Sequence, residues 1–160
     1  DLMKKANCEE VACGVESGSP KILKEIGKGT TVASIKRGIT CAKKSDIIVR
    51  GYFILGMPNE TIEDIDLTEK LGEELGLDEY GFTILCPYPG TTMYDPVKHK
   101  DIDWGATDEY GNDFWETPNL TNKQLHEQQH RLVTKFKDNI CWHNNLLLEG
   151  NNPILNEKKS

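Results

Sequence analysis

The spacing of apolar positions changes several times along the chain, and each change marks an element. Residues 9–16 (EEVACGVE) run through small and apolar side chains into Gly14-Val15-Glu16-Ser17-Gly18-Ser19. This predicts a short buried strand that ends in a loop. Pro20 then opens a helix with Ile22, Leu23 and Ile26 on one face, and Gly27 and Gly29 end it. Thr31 is placed to cap a second helix, with Ile35, Ile39 and Ala42 at helical spacing. Residues 47–56 (IIVRGYFILG) are β-prone and mostly apolar, as expected of a strand covered on both faces. Met57-Pro58-Asn59-Glu60 reads as a loop. Thr61-x-x-Asp64 is a short capping pattern for a helix that uses Ile62, Ile65, Leu71 and Leu75 inwardly and closes at Gly76. Residues 80–86 (YGFTILC) predict a third strand, followed by the loop Pro87-Tyr88-Pro89-Gly90-Thr91.

Strands alternating with helices argue for an α/β fold with a parallel sheet. Three strands cannot close a barrel, so the sheet is expected to be incomplete or to continue upstream. From Asp95 the text turns polar, with Trp104, Tyr110, Phe114 and Trp115 interspersed, which predicts an irregular, partly packed segment over 96–119. Thr121-x-x-Gln124 then caps a predicted long helix over 122–148, with Leu125, Leu132, Val133, Phe136 and Ile140 on its apolar face. The tail 149–160 is polar and expected to fray. The expected division is 1–95 for the α/β part and 96–160 for an irregular segment plus helix.

Composition narrows the classes. The chain has 160 residues, 19 Lys+Arg against 26 Asp+Glu, and a net charge of -7. The basic clusters at Lys21 to Lys28, Lys36 to Lys44 and Lys158-Lys159 read as solvated faces, so no nucleic-acid partner is expected. No apolar run approaches the ~20 residues of a membrane span, so no membrane partner is expected. The five cysteines, Cys8, Cys13, Cys41, Cys86 and Cys141, are odd in number and contain no C-x-x-C. They predict free thiols in a cytoplasmic protein rather than disulfides or a zinc site. The chain begins with Asp1 inside a helix-like stretch, which argues for a fragment.

Candidate chemistry follows from position. Each predicted strand ends in an unusual loop: 14–19, 56–61 and 87–91. Parallel α/β folds bind ligands at the carboxyl ends of their strands. Glycines let backbone approach a ligand, and Glu16 or Ser17 can hydrogen-bond a sugar diol. The residues alone therefore point to a polar small-molecule site at the strand tips.

The same stretches resemble a known family. Gly14-Val-Glu-Ser-Gly-Ser19, the Leu23…Ile26-x-Lys28 behind it, Gly51-Tyr-Phe-Ile-Leu-Gly-Met-Pro-Asn-Glu-Thr61 and Pro87-Tyr-Pro-Gly-Thr91…Tyr94 resemble the later half of the radical S-adenosylmethionine (radical SAM) core. The likeness is greatest to the branch that often carries a cobalamin-binding domain. It covers residues 1–95 closely, and Asp103-Trp104 with the Leu120…Phe136 stretch resembles that branch's C-terminal extension loosely. The resemblance implies the last three strands of a partial, TIM-like (βα)6 barrel followed by a helical extension. The implied cofactors are S-adenosylmethionine and a [4Fe–4S] cluster, with cobalamin as an optional third. The implied reaction is reductive cleavage of S-adenosylmethionine to a 5′-deoxyadenosyl radical, leading to methyl transfer or oxidative rearrangement of a small-molecule substrate.

The resemblance also implies the contacts. Glu16 matches the position at the cofactor ribose, with Ser17 beside it. Gly51 and Gly56 belong to the strand that passes the adenosine. Leu85, Cys86 and Tyr88 end the strand that packs the adenine ring. Arg50 is read as a structural ion pair and Glu60 as favourable charge at a helix start. His126 and His130 are read as exposed helix surface, and Trp104, Trp115 and Trp142 as core anchors. The family's C-x-x-x-C-x-x-C cluster loop does not occur here, so no catalytic residue or metal ligand is assigned. The missing N-terminal half of the barrel becomes the expected partner, and this chain alone is expected to be inactive. The competing reading is a non-catalytic truncated barrel that binds a nucleoside or a protein.

Overall fold

The computed structural model describes residues 2–105 and 107–148. Its centre is a three-stranded parallel sheet in the order β1 (Glu10–Glu16), β2 (Ile48–Leu55), β3 (Glu79–Ile84). Cys13 pairs with Gly51 and Gly51 with Tyr80, and the register slips at a bulge between Gly14 and Glu16. Parallel pairing puts all three carboxyl ends at one rim. The α/β class expected from the alternation is the one observed.

The helices start where their caps predict. After α1 (Leu2–Lys5), helix α2 (Pro20–Glu25) begins on Ser19, whose side chain accepts from the Ile22 N–H. Thr31 caps α3 (Val32–Lys43) and Thr61 caps α4 (Ile62–Leu75), each in a reciprocal capping box with Ser34 or Asp64. Gly76, with φ 51°, closes α4 in the left-handed conformation. Thr121 and Gln124 make the same box on α5 (Asn122–Lys135). Among the described residues no helix is long and apolar enough to cross a membrane.

One core joins both expected divisions of the chain. Val15, Val49, Phe53, Leu55, Tyr80, Phe82 and Ile84 supply the sheet side. Ile65 and Leu71 come from α4, and Leu125, Leu132 and Val133 from α5. At about 25 cal/mol per Å2 of apolar surface removed from water, this continuous burial dominates the chain's stability.

Three expectations are corrected by this packing. First, β2 is covered fully on one face only. Val49, Gly51, Phe53 and Leu55 are buried, but Arg50, Tyr52 and Ile54 are half-buried and Ile48 is 49% exposed. The core lies entirely on the first side, and on the other Arg50 pairs with Glu10 at 2.9 Å and Glu79 at 3.7 Å. Second, the helix expected over 122–148 is two. α5 stops at Lys135, a 3-10 turn spans Lys137–Asn139, and α6 covers Trp142–Leu148. Ile140 leaves helical geometry to bridge Tyr80, and the Cys141 N–H donates to the Tyr80 carbonyl at 2.7 Å. Sheet pairing at the bare edge of β3 thus overrides the apolar spacing of Phe136 and Ile140. Third, His126 is fully buried under α5, whereas Trp142 is 68% exposed. The expected frayed tail lies outside the described residues.

Candidate functional site

At the tip of β1 the backbone makes a strained turn. Glu16 has φ 67°, a left-handed conformation that side chains other than glycine rarely adopt. Lys28 holds it there. Its ammonium pairs with the Glu16 carboxylate and donates to the Gly14 carbonyl at 2.9 Å. Ser17 points the other way. It is fully buried, its hydroxyl lies 3.2 Å from the Thr68 hydroxyl, and it accepts from the Ser19 N–H. Gly18 fits because a Cβ there would sit 2.2 Å from the Leu67 carbonyl oxygen. Ser19 and Lys21 then reach Asp64 on α4 at 2.6 and 2.8 Å. Burial pushes the Asp64 carboxyl up, but Lys21, Ser19 and Thr61 outweigh it and hold it below the ordinary range.

The tip of β2 is fixed from two sides. Gly56 has φ 85°; its N–H donates to Glu60 Oε2 at 2.6 Å, and its carbonyl accepts from Trp115 Nε1 at 2.8 Å. The sequence places Glu60 as favourable charge at a helix start; in the structure it is instead fully buried and turned back into the loop. Burial pushes its carboxyl up to about 7, against the Gly56 and Met57 amides. Its Oε1 has no partner among the described residues. Asn119 Nδ2 donates to the Glu60 carbonyl at 3.2 Å, so the extension holds this loop twice.

At the tip of β3, the Leu85 N–H donates to the Leu55 carbonyl at 2.8 Å. Cys86 is half-buried, and burial raises its thiol above the usual range. Tyr88 is 40% exposed and donates its hydroxyl to Glu109 at 2.8 Å; desolvation and that carboxylate raise the phenol.

The structure therefore brings Glu16, Gly56, Leu85, Cys86 and Tyr88 to one rim. It places Ser17 beneath that rim, against α4. Gly51 lies in the middle of β2, where a Cβ would meet Leu77 at 2.2 Å. Lys28 and the inward role of Glu60 went unassigned in the sequence, although Lys28 stands between Gly27 and Gly29, both of positive φ. Nothing local marks Trp115 as the partner of a residue 59 positions away.

The strand tips fit a nucleoside-bearing cofactor: a partly open carboxylate on β1, a pinned backbone on β2, and half-buried apolar atoms on β3. They do not fit an iron–sulfur cluster. No group of three His, Cys, Asp or Glu among the described residues is placed to hold a metal ion.

These features define a parallel α/β segment of barrel type with three loops gathered at its carboxyl rim. Residues 1–71 match the Radical SAM superfamily model. The chain is 42% identical over 93 residues to an uncharacterized methyltransferase of Pyrococcus horikoshii, which covers 58% of this chain and 20% of that protein. It is 27% identical over 113 residues to the bacteriochlorophyllide d C-12(1)-methyltransferase of Chlorobaculum tepidum, covering 69% of this chain and 25% of that one. The chain thus spans a fifth to a quarter of the length of these relatives. Coproporphyrinogen III oxidase from Escherichia coli, described as a radical SAM enzyme, superposes with a TM-score of 0.59 at 13% identity. That match covers 87% of this chain and 29% of the oxidase, and it shows the fold alone.

Proposed function

We propose that this chain is the cofactor- and substrate-facing part of a radical SAM enzyme that modifies a small molecule by methyl transfer or a related radical reaction. The observation that carries the reading is the shared rim: three loops at the carboxyl ends of three parallel strands, with the Glu16 carboxylate held in place by Lys28. A [4Fe–4S] cluster with S-adenosylmethionine would supply the radical chemistry of this reading. No ligand set for that cluster is found among the described residues. Within the chain, Glu16 would accept hydrogen bonds from ribose hydroxyls, and Leu85, Cys86 and Tyr88 would border the adenine ring. Glu60 and Trp115 would keep the Gly56 backbone in place. Both relatives are named as methyltransferases, which supports methyl transfer; a methyl-relaying cobalamin is an optional part of the same reading.

The test is anaerobic reconstitution of the full-length protein with iron and sulfide, followed by reduction with S-adenosylmethionine present. 5′-Deoxyadenosine should form, and Glu16→Gln should raise KM for S-adenosylmethionine about tenfold, the loss of one charge-assisted hydrogen bond. Binding of S-adenosylmethionine without any 5′-deoxyadenosine would instead favour the non-catalytic binding module.

A further inference from the structure

A cleft of about 800 Å3 lies between the turns of 92–102 and the segment 114–118, with Pro58 of the β2 loop on one side. That volume is typical of small-molecule sites. Its floor is aromatic. The His99 ring lies 5.5 Å from Tyr94, 5.5 Å from Phe114 and 6.4 Å from Trp115 between centroids. Trp115 is in turn anchored to the β2 tip through Gly56.

His99 is 8% exposed, and its tautomer is set by its surroundings. Nδ1 accepts the Asp95 N–H at 3.1 Å, and the His99 N–H donates back to the Asp95 carbonyl at 2.9 Å. In the neutral ring the proton therefore sits on Nε2. Among the described residues no acceptor is found for Nε2, and His99 lines the cleft. Nδ1 is thus occupied within the chain, and Nε2 is the donor of the ring left for an acceptor on a ligand in the cleft.

We propose that this cleft binds a flat, ring-bearing small molecule that carries an oxygen acceptor. The rings stack against Tyr94, Phe114 and Trp115 and the oxygen accepts from His99 Nε2, while Lys98, Asp95 and Glu116 make the rest of the lining polar. That this molecule is the substrate of the radical reaction rests on the function proposed above; binding itself does not.

The experiment titrates the full-length protein with pyrenecarboxylate and with methylpyrene, following quenching of tryptophan emission. Both should quench saturably. His99→Phe keeps an aromatic ring and removes the Nε2 donor together with the Nδ1 acceptor of the Asp95 N–H; loss of the donor should weaken pyrenecarboxylate about tenfold, and methylpyrene, which reports any change of the cleft itself, should stay within about twofold. Absence of saturable quenching, or an equal response of both probes to His99→Phe, overturns the proposal. If that variant fails to fold by circular dichroism, Phe114→Ala decides: both probes must weaken at least about fivefold, and unchanged binding sinks the site. The same preparation is assayed for 5′-deoxyadenosine. Its formation without probe binding removes the cleft alone, and probe binding without it removes the radical reading alone.

Discussion

At the scale of single residues, the informative groups are those whose environment contradicts their chemistry. Glu60 is the clearest: a carboxyl fully buried, satisfied through one oxygen and raised to about 7. A carboxyl near 4.5 in the unfolded chain and near 7 in the folded one makes the folded state bind the extra proton between those values. Stability from this group is therefore complete below about pH 4.5 and is lost as pH rises through about 7. The wild type should lose on the order of 3 kcal/mol across that window through Glu60. Glu60→Gln cannot ionise and should flatten that part of the profile. Denaturant midpoints at intervals from pH 4 to pH 8 for both proteins check this; parallel curves would refute it. The role of Glu60 was illegible in the sequence because a Glu before a helix ordinarily serves the helix dipole. Here Thr61 already caps α4, and the carboxyl turns back to Gly56.

At the scale of elements, the outer edge of β3 is completed without a fourth strand. The Phe82 N–H donates to Asn144 Oδ1 at 2.7 Å, and Asn144 Nδ2 donates to the Phe82 carbonyl at 2.7 Å. A side-chain amide thus pairs as a peptide would. The Ile84 N–H finds the Glu109 carbonyl at 2.7 Å and the Tyr80 carbonyl finds the Cys141 N–H. Asn144→Ala leaves the Phe82 N–H buried and unpaired. It should cost about 1–3 kcal/mol and speed hydrogen exchange at that amide well beyond its neighbours. Exchange mass spectrometry or amide NMR measures this, and unchanged protection would show that the pairing is dispensable. The strands, caps and first four helices were readable because each is written in a local signal: Pro20 at a first turn, Thr31, Thr61 and Gly76 at helix ends. The break of the last helix was not readable. Phe136 and Ile140 keep helical spacing, and only the presence of an unpaired β3 edge makes the extended turn at Ile140 the better solution.

At the scale of the whole molecule, the barrel segment and its extension act as one body along α4 and α5. Arg131 of α5 spans Asp66 at 2.8 Å and Glu69 at 2.7 Å, and Lys135 adds Glu73 at 2.7 Å. These pairs are largely exposed, so they orient the helices more than they stabilise them. Arg131→Ala should lower stability by about 0.5–1 kcal/mol at low ionic strength. The effect should shrink at about 1 M salt, where screening acts within ~3 Å. Thermal melts at both salt concentrations test it, and a large salt-independent loss would mean that Arg131 contributes through packing instead. The opposite edge of the sheet differs: among the described residues β1 pairs with β2 alone, and its residues are mostly exposed or half-buried.

The sequence by itself determined the order of elements through β3, the parallel sheet and the three loops at its carboxyl rim. Periodicity, caps and glycines act over a few residues and need no distant partner to be read. Tertiary structure alone decided which candidates share the rim. The bulge at β1 turns Glu16 toward Lys28 and Ser17 into α4, and close packing with Leu77 accounts for Gly51. It also decided that Trp115 and His99, from a stretch without periodicity, build a cleft beside the β2 tip. Contacts across tens of residues depend on how elements settle against a common core, and no local pattern records that.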